Sequence, residues 1–335
     1  MRIQRTLIGA LSVGAIALAT VACSGGSGSD EPPTDGPTDG SSETEQLTIG
    51  FVPGIASDPF FLAMQIGAEE KAEELGIELI WQGAPDEYSP QSQIPFVDTM
   101  LTQKVDGLIL VPTDPDALQP SVAEAVELGI PVVTVDTTVT DQSPLVAHIT
   151  GDNVEGGRLA GETLAEQIGG SGKVFLMMGS PTATTNTLRQ QGFLEALAEF
   201  PDIELVDTQY ANSQPAAATS AVNTVLLQHP DLAGIFAVDG TSGTGTVAAL
   251  RNAGLAGVVK LIGYDAYENQ IADLQEGVFS ALIAQRPGEM AAQALDDIVA
   301  AIRGEGDSIE RQVVMPNVVI TQDNFAETSQ YQYPS

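Results

Sequence analysis

Residues 47–80 read LTIGFVPGIASDPFFLAMQIGAEEKAEELGIELI, and the order of side chains here decides the fold. Residues 47–52 form a short, mostly apolar run of strand type. A turn containing Gly54 and Ser57 leads to Asp58-Pro59. Asp is a favoured helix N-cap, and Pro suits the first helical position because its missing N–H would be unpaired there. Phe61, Met64, Ala68, Ala72 and Leu75 recur at steps of three and four, which is one buried helix face. Gly76 supplies the stop, and 77–81 is the next strand. The stretch is a βαβ unit that leaves two rings, Phe60 and Phe61, at a strand-to-helix turn. In open α/β sheets that edge is where ligands bind.

Working outward, the unit repeats. An apolar strand at 105–111 leads through a helix at 115–128 to a strand at 130–136 that ends in Asp136. Far downstream, a strand at 232–238 leads through a helix at 244–253 to a strand at 258–265 that ends in Asp265. The opening unit has a partner too: a strand at 173–178, helical residues 192–200, then Ile203-Glu204-Leu205-Val206 echoing Ile77-Glu78-Leu79-Ile80. The strands are near-continuous apolar runs, as parallel sheets buried on both faces require. Two similar doubly wound lobes follow, with matched acids at their strand ends. A cleft between two such lobes is where a small ligand sits.

The bulk numbers agree with an extracytoplasmic, soluble chain. There are 45 Asp plus Glu against 12 Lys plus Arg in 335 residues, a net charge of −33. Such a surface repels nucleic acid and anionic lipid headgroups. The N-terminus reads as an address. Arg2 and Arg5 precede an apolar stretch at 7–19, and Thr20-Val21-Ala22-Cys23 follows, ending in the only cysteine of the chain. The pattern resembles a bacterial lipobox, in which the cysteine is diacylated and becomes the new N-terminus, although Thr20 stands where Leu is usual. Residues 24–45 are Gly, Ser, Pro and acid without periodicity, a tether.

Several motifs, in order, resemble the periplasmic sugar-binding proteins of the ribose-binding type, the solute receptors of ABC importers. They are Asp58-Pro59-Phe60-Phe61, Pro112-Thr113-Asp114, Ile130-Pro131-Val132, Val135-Asp136, and His148-Ile149 with Asp152-Asn153. Arg189 with Gly192-Phe193, Phe236-Ala237, Gly263-Tyr264-Asp265 and Ala284-Gln285 complete the series, which covers about 46–325. The resemblance implies that a helix at 288–302 returns to the first lobe and that the tail after about 315 joins the second. Cross-overs near 150, 285 and 315 form a three-strand hinge. The expected division is a signal peptide at 1–22 and a lipidated Cys23 with its linker at 23–45. An N-terminal lobe at 46–150 plus 286–315 and a C-terminal lobe at 151–285 plus 316–335 follow.

Sugar hydroxyls both donate and accept, and sugar C–H faces are apolar, so the site needs carboxylates, amides, a guanidinium and rings. By the resemblance, Phe60 and Phe61 sandwich the sugar ring, Arg189 clamps it, and Gln285 serves at the hinge. Asp58 and Asp239 stand where the ribose-type pattern has Asn. Thr137 stands where it has a second arginine, which argues against ribose itself, and Ser213 falls where a third aromatic is expected. Asp136 and Asp265 are favoured on position alone, because an unpaired carboxylate buried at a strand end would be costly without a ligand. Core packing for one of the two phenylalanines, a capping role for Asp58, a solvated Arg189 and a core position for Trp81 are the plainer readings.

Other signals are discounted. Gly243-Thr244-Gly245-Thr246-Val247-Ala248 fits the G-x-G-x-x-A dinucleotide pattern, and Asp265 lies at a ribose-binding offset from it. The loop from Asp239 is long for that turn, and the lobe repeat explains Asp265 better. His148 and His229 are the only histidines, so a zinc site or a Cys–His pair is excluded on inventory. No nucleophile-elbow spacing exists. The expectation is a non-enzymatic, cofactor-free, monomeric binding lipoprotein with two partners, a monosaccharide or sugar alcohol and an ABC permease. The alternative, a sugar-sensing domain related to lac-type repressors, lacks a helix-turn-helix and a basic face here.

Overall fold

The computed structural model describes residues 46–333. The signal stretch, Cys23 and the tether lie outside the described residues. The opening unit folds as its side chains dictate. Strand β1 (Thr48–Val52) is followed by helix α1 (Pro59–Leu75) and strand β2 (Glu78–Trp81). Asp58 is the N-cap, its carboxylate accepting from Phe60 N, and Gly76 ends the helix in the left-handed region at φ 68°. Phe61, Met64, Ala68 and Ala72 are all buried.

The first half continues with α2 (Pro90–Gln103), β3 (Gly107–Leu110), α3 (Gln119–Glu127), β4 (Val132–Val135) and β5 (Ala147–Gly151). The second half runs α4 (Asn153–Gln167), β6 (Gly172–Met178), α5 (Thr184–Leu197), β7 (Ile203–Tyr210), α6 (Pro215–Gln228) and β8 (Leu232–Ala237). It goes on through α7 (Gly240–Ala253), β9 (Lys260–Tyr264), α8 (Glu268–Gln275) and β10 (Ala281–Ala284). Then α9 (Pro287–Ile302), β11 (Gln312–Met315) and β12 (Val318–Ile320) close the set.

Two six-stranded sheets result, with orders β11-β5-β4-β3-β1-β2 and β12-β10-β9-β8-β6-β7. Apart from the edge strands β11 and β12, the second order is the first with each number raised by five, the internal repeat seen in the sequence. All pairs are parallel except β10 with β12. The chain passes from one sheet to the other three times: after β5, after β10, and between β11 and β12. That is the three-strand hinge of the expected fold class. At the third crossing Asn317 donates to Asp152 O (2.6 Å) and accepts from Tyr264 OH (3.2 Å), tying it to the first.

Two boundaries differ from the sequence reading, and both matter for the site. Helix α5 begins at Thr184 rather than near 192, so Arg189 lies inside it and not ahead of it. Polar residues at its start hid the helical period. Gly157 and Gly192 let α4 and α5 touch backbone to backbone: a Cβ at Gly192 would strike Val154 O, and one at Gly157 would strike Arg189 O. Helix α7 begins at Gly240, so no long loop follows Asp239, and the glycines of 243–248 lie within a helix. A Cβ at Gly245 would strike Pro215 O of α6, so this glycine serves helix packing and not a phosphate.

Candidate functional site

The repeat places its two acids in the same unusual backbone state. Asp136 follows β4 at φ 63° and Asp265 follows β9 at φ 74°. Each donates its N–H to the neighbouring strand, Asp136 to Ile149 O (2.8 Å) and Asp265 to Ile283 O (2.9 Å). Asp tolerates the left-handed region better than most residues because its short side chain bonds locally. The turn aims both carboxyls beyond the carboxyl ends of the strands, into the space between the lobes.

That space is a small cavity of about 60 Å³. Eight of the nine expected ligand residues line it: Asp58, Phe60, Phe61, Asp136, Arg189, Asp239, Asp265 and Gln285. Ser213 lines it as well. Thr137 does not. Its hydroxyl donates to Pro112 O at 2.7 Å, in the loop after β3. Trp81 also stays off the cavity, its ring packed on Phe51 at 4.3 Å between centroids.

Phe60 and Phe61 are both buried and both line the cavity, meeting edge to face at 5.1 Å. Both also belong to the hydrophobic core of the lobe. Arg189 is fixed before any ligand arrives. Its Nε donates to Asn153 Oδ1 (2.8 Å), its Nη1 donates to Val238 O (2.9 Å), and its guanidinium lies 3.6 Å from the centroid of Tyr264. It makes no ion pair within 4 Å among the described residues. Burial works against its charge, yet Tyr264 and the carboxyls of Asp265, Asp136 and Asp239 raise its pKa.

The four acids are not equivalent. Asp265 is the best satisfied: Oδ1 accepts from Gln285 Nε2 (2.8 Å) and Tyr333 OH (3.1 Å), and Oδ2 accepts from Gly240 N (3.0 Å). Asp239 caps α7, accepting from Ser242 N (2.7 Å) and Thr241 Oγ1 (3.0 Å). Asp58 caps α1, and the same Oδ1 accepts from Tyr267 OH of the other lobe at 2.7 Å. Burial pushes its carboxyl up to about 7 against these two bonds. Asp136 stands apart. Its Oδ1 is buried with no donor from any described residue, and burial, only partly offset by Arg189, pushes the carboxyl up to about 7. Gln285 Oε1 is likewise buried without a donor.

Three tyrosines escaped the sequence reading. Tyr88, from the loop between β2 and α2, lines the cavity, and burial together with Asp136 raises its pKa. Tyr267 lines it from the turn before α8. Tyr333 reaches Asp265 from the tail. Only Tyr267 carried a usable signal, two residues after the strand-ending Asp265. The lobes are closed on each other. Besides Tyr267 to Asp58, Thr182 Oγ1 of the second lobe donates to Thr113 O of the first at 3.1 Å.

Residues 49–306 match the profile of a periplasmic binding protein domain. The chain belongs to that family. This binding protein is 31% identical over 283 residues to the D-ribose/D-allose-binding protein of Pseudomonas aeruginosa, covering 82% of this chain and 88% of that one. It is 28% identical over 319 residues to a xylitol-binding protein of Mycolicibacterium smegmatis, with 95% and 86% covered. The crystal structure of an ABC transporter solute-binding protein from Agrobacterium vitis, bound with α-D-tagatopyranose, superposes with a TM-score of 0.84 at 30% identity. It covers 87% of this chain and 100% of its own. Family membership makes this a solute-binding protein rather than an enzyme and places it outside the cytoplasm.

Proposed function

We propose that this binding protein captures a monosaccharide or sugar alcohol between its lobes and presents the closed form to the permease of an ABC importer. One observation carries the reading. Two buried acceptors with no donor among the described residues, Asp136 Oδ1 and Gln285 Oε1, belong to residues lining the interlobe cavity beside the paired rings of Phe60 and Phe61. Buried acceptors left unpaired are costly, so the site suits a ligand that brings hydroxyl donors and an apolar face. Asp58, Phe60, Phe61, Asp136, Arg189, Asp239, Asp265 and Gln285 are the ligand residues of this proposal. The ligand bridges the lobes and stabilises their closed arrangement, and closure is the signal the permease reads. Titration calorimetry against D-ribose, D-allose, D-tagatose, D-arabinose and xylitol tests it. A saturable, one-to-one heat with at least one of them is expected, and none with any neutral sugar or polyol would refute it.

The balance of charge narrows the ligand. Asp58, Asp136, Asp239 and Asp265 face Arg189 alone, so the acids outnumber the one guanidinium even where Asp58 and Asp136 hold protons. An anionic ligand meets like charges in a partly dry site, where repulsion is weakly screened. The ligand is therefore neutral or cationic. Tighter binding of a uronic acid or a sugar phosphate than of its neutral counterpart would contradict this.

The signal-like stretch ending at the sole cysteine supports a lipid anchor at Cys23, with 24–45 as the leash and the folded part acting as a monomer. Cys23→Ala is expected to move the protein from the detergent phase to the aqueous phase or leave it unprocessed. Unchanged partitioning would sink the anchor.

A further inference from the structure

We propose that Tyr333 is a positioning residue for sugar binding, a wedge on the hinge that closes the rear wall of the cleft and fixes the acceptor atoms of Asp265 and Gln285. The inference rests on the interlobe sugar site just described. Three bonds hold Tyr333. Its OH donates to Asp265 Oδ1 (3.1 Å) and accepts from Gln285 N (3.2 Å), and its own N–H donates to Ala266 O (2.9 Å). Its ring lies 6.1 Å from Phe60 of the first lobe and 6.0 Å from Tyr267 of the second. One buried side chain thus touches both lobes and a hinge strand end.

Its place explains why it acts on the ligand without lining the cavity. Gln285 borders two spaces, the interlobe cavity on one side and an outer groove between α1, α9 and residues 330–333 on the other. Tyr333 lines only the outer groove, so Gln285 and Tyr333 together are the partition. The neighbouring residues repeat the device. The Arg286 guanidinium lies 5.0 Å from the Tyr331 ring centroid, so the tail pins the hinge at two successive residues.

The consequence is orientational. Asp265 Oδ1 receives Gln285 Nε2 and Tyr333 OH together, which fixes the carboxylate plane. With Nε2 committed there, Oε1 is the end of the Gln285 amide left without a donor among the described residues. The tyrosine bond also stabilises the ionised form of Asp265 against the burial that raises its pKa.

Tyr333→Phe keeps the ring and removes only the hydroxyl. In the full chain, calorimetry from pH 4 to pH 8 with D-ribose, D-allose, D-tagatose and xylitol, together with the carboxyl-carbon NMR titration of Asp265 in the sugar-free protein, gives two readouts. Affinity for whichever sugar binds wild type tightest is expected to fall about tenfold at pH 7. The loss of affinity on acidification is expected to begin at a higher pH than in wild type, and the Asp265 titration to move up. A merely packing role moves neither pH-dependent quantity. Unchanged affinity at every pH, or an unchanged Asp265 titration, would overturn the proposal. If no sugar binds wild type, the sugar reading falls, and the titration alone then decides whether Tyr333 sets Asp265.

Discussion

Asp136→Asn is expected to make the sugar-free protein more stable and its sugar binding weaker. Asn keeps the shape and, like Asp, tolerates the left-handed backbone at φ 63°, so the turn after β4 survives. What changes is the charge on a buried carboxyl whose Oδ1 has no donor from the described residues. With its pKa pushed up to about 7 against an ordinary ~3.9, ionising it at pH 8 costs the fold on the order of 4 kcal/mol. The amide has its own unpaired polar atoms, which return about 1–3 kcal/mol of that. The net gain is about 1–3 kcal/mol, a rise in Tm of roughly 2–8 °C for a chain of this size. Binding moves the other way. A hydroxyl donating to a carboxylate is worth about 1.5–3 kcal/mol, so affinity should drop on the order of ten- to a hundredfold. Thermal unfolding at pH 8 and calorimetry with the tightest-binding sugar read the two effects. A variant that is less stable, or that binds as well as wild type, would show that Asp136 is a structural acid and that the cleft has been misread.

Three further outcomes follow from the same geometry. Stability of the sugar-free protein should fall as pH rises from 6 to 8, because Asp58 and Asp136, pushed up to about 7, hold protons in the fold that the unfolded chain has already released. Each contributes up to about 1.4 kcal/mol over that window, and a flat or rising Tm would refute the assignment. Tyr267→Phe removes the 2.7 Å bond between the lobes, so the closed-to-open ratio without sugar should drop on the order of ten- to a hundredfold. Small-angle scattering checks it, and an unchanged radius of gyration would show that the bond does not hold the lobes. Arg189→Lys cannot make both fixed bonds or lie flat on Tyr264, so binding should weaken at least about tenfold. Affinity equal to wild type would remove Arg189 from the site.

What the sequence determined by itself was whatever is periodic or local. The run from Thr48 to Trp81 announces its strand, cap, helix face and stop within a few residues, and the repeat announces two lobes with matched acids at Asp136 and Asp265. Asp58 and the adjacent rings were legible because a cap and a strand-to-helix turn are short-range features. Tertiary structure decided the rest. It set Arg189 within α5 by packing glycines of two helices together, and it turned Thr137 back onto Pro112. It joined Tyr267 to Asp58 across 209 positions, and brought Tyr333, from a tail without period, under Asp265. It also decided which acids are already satisfied and which are not. A carboxylate's partners are donors that the fold brings up from elsewhere, so the difference between Asp265 with three and Asp136 Oδ1 with none is written nowhere in the residues beside them.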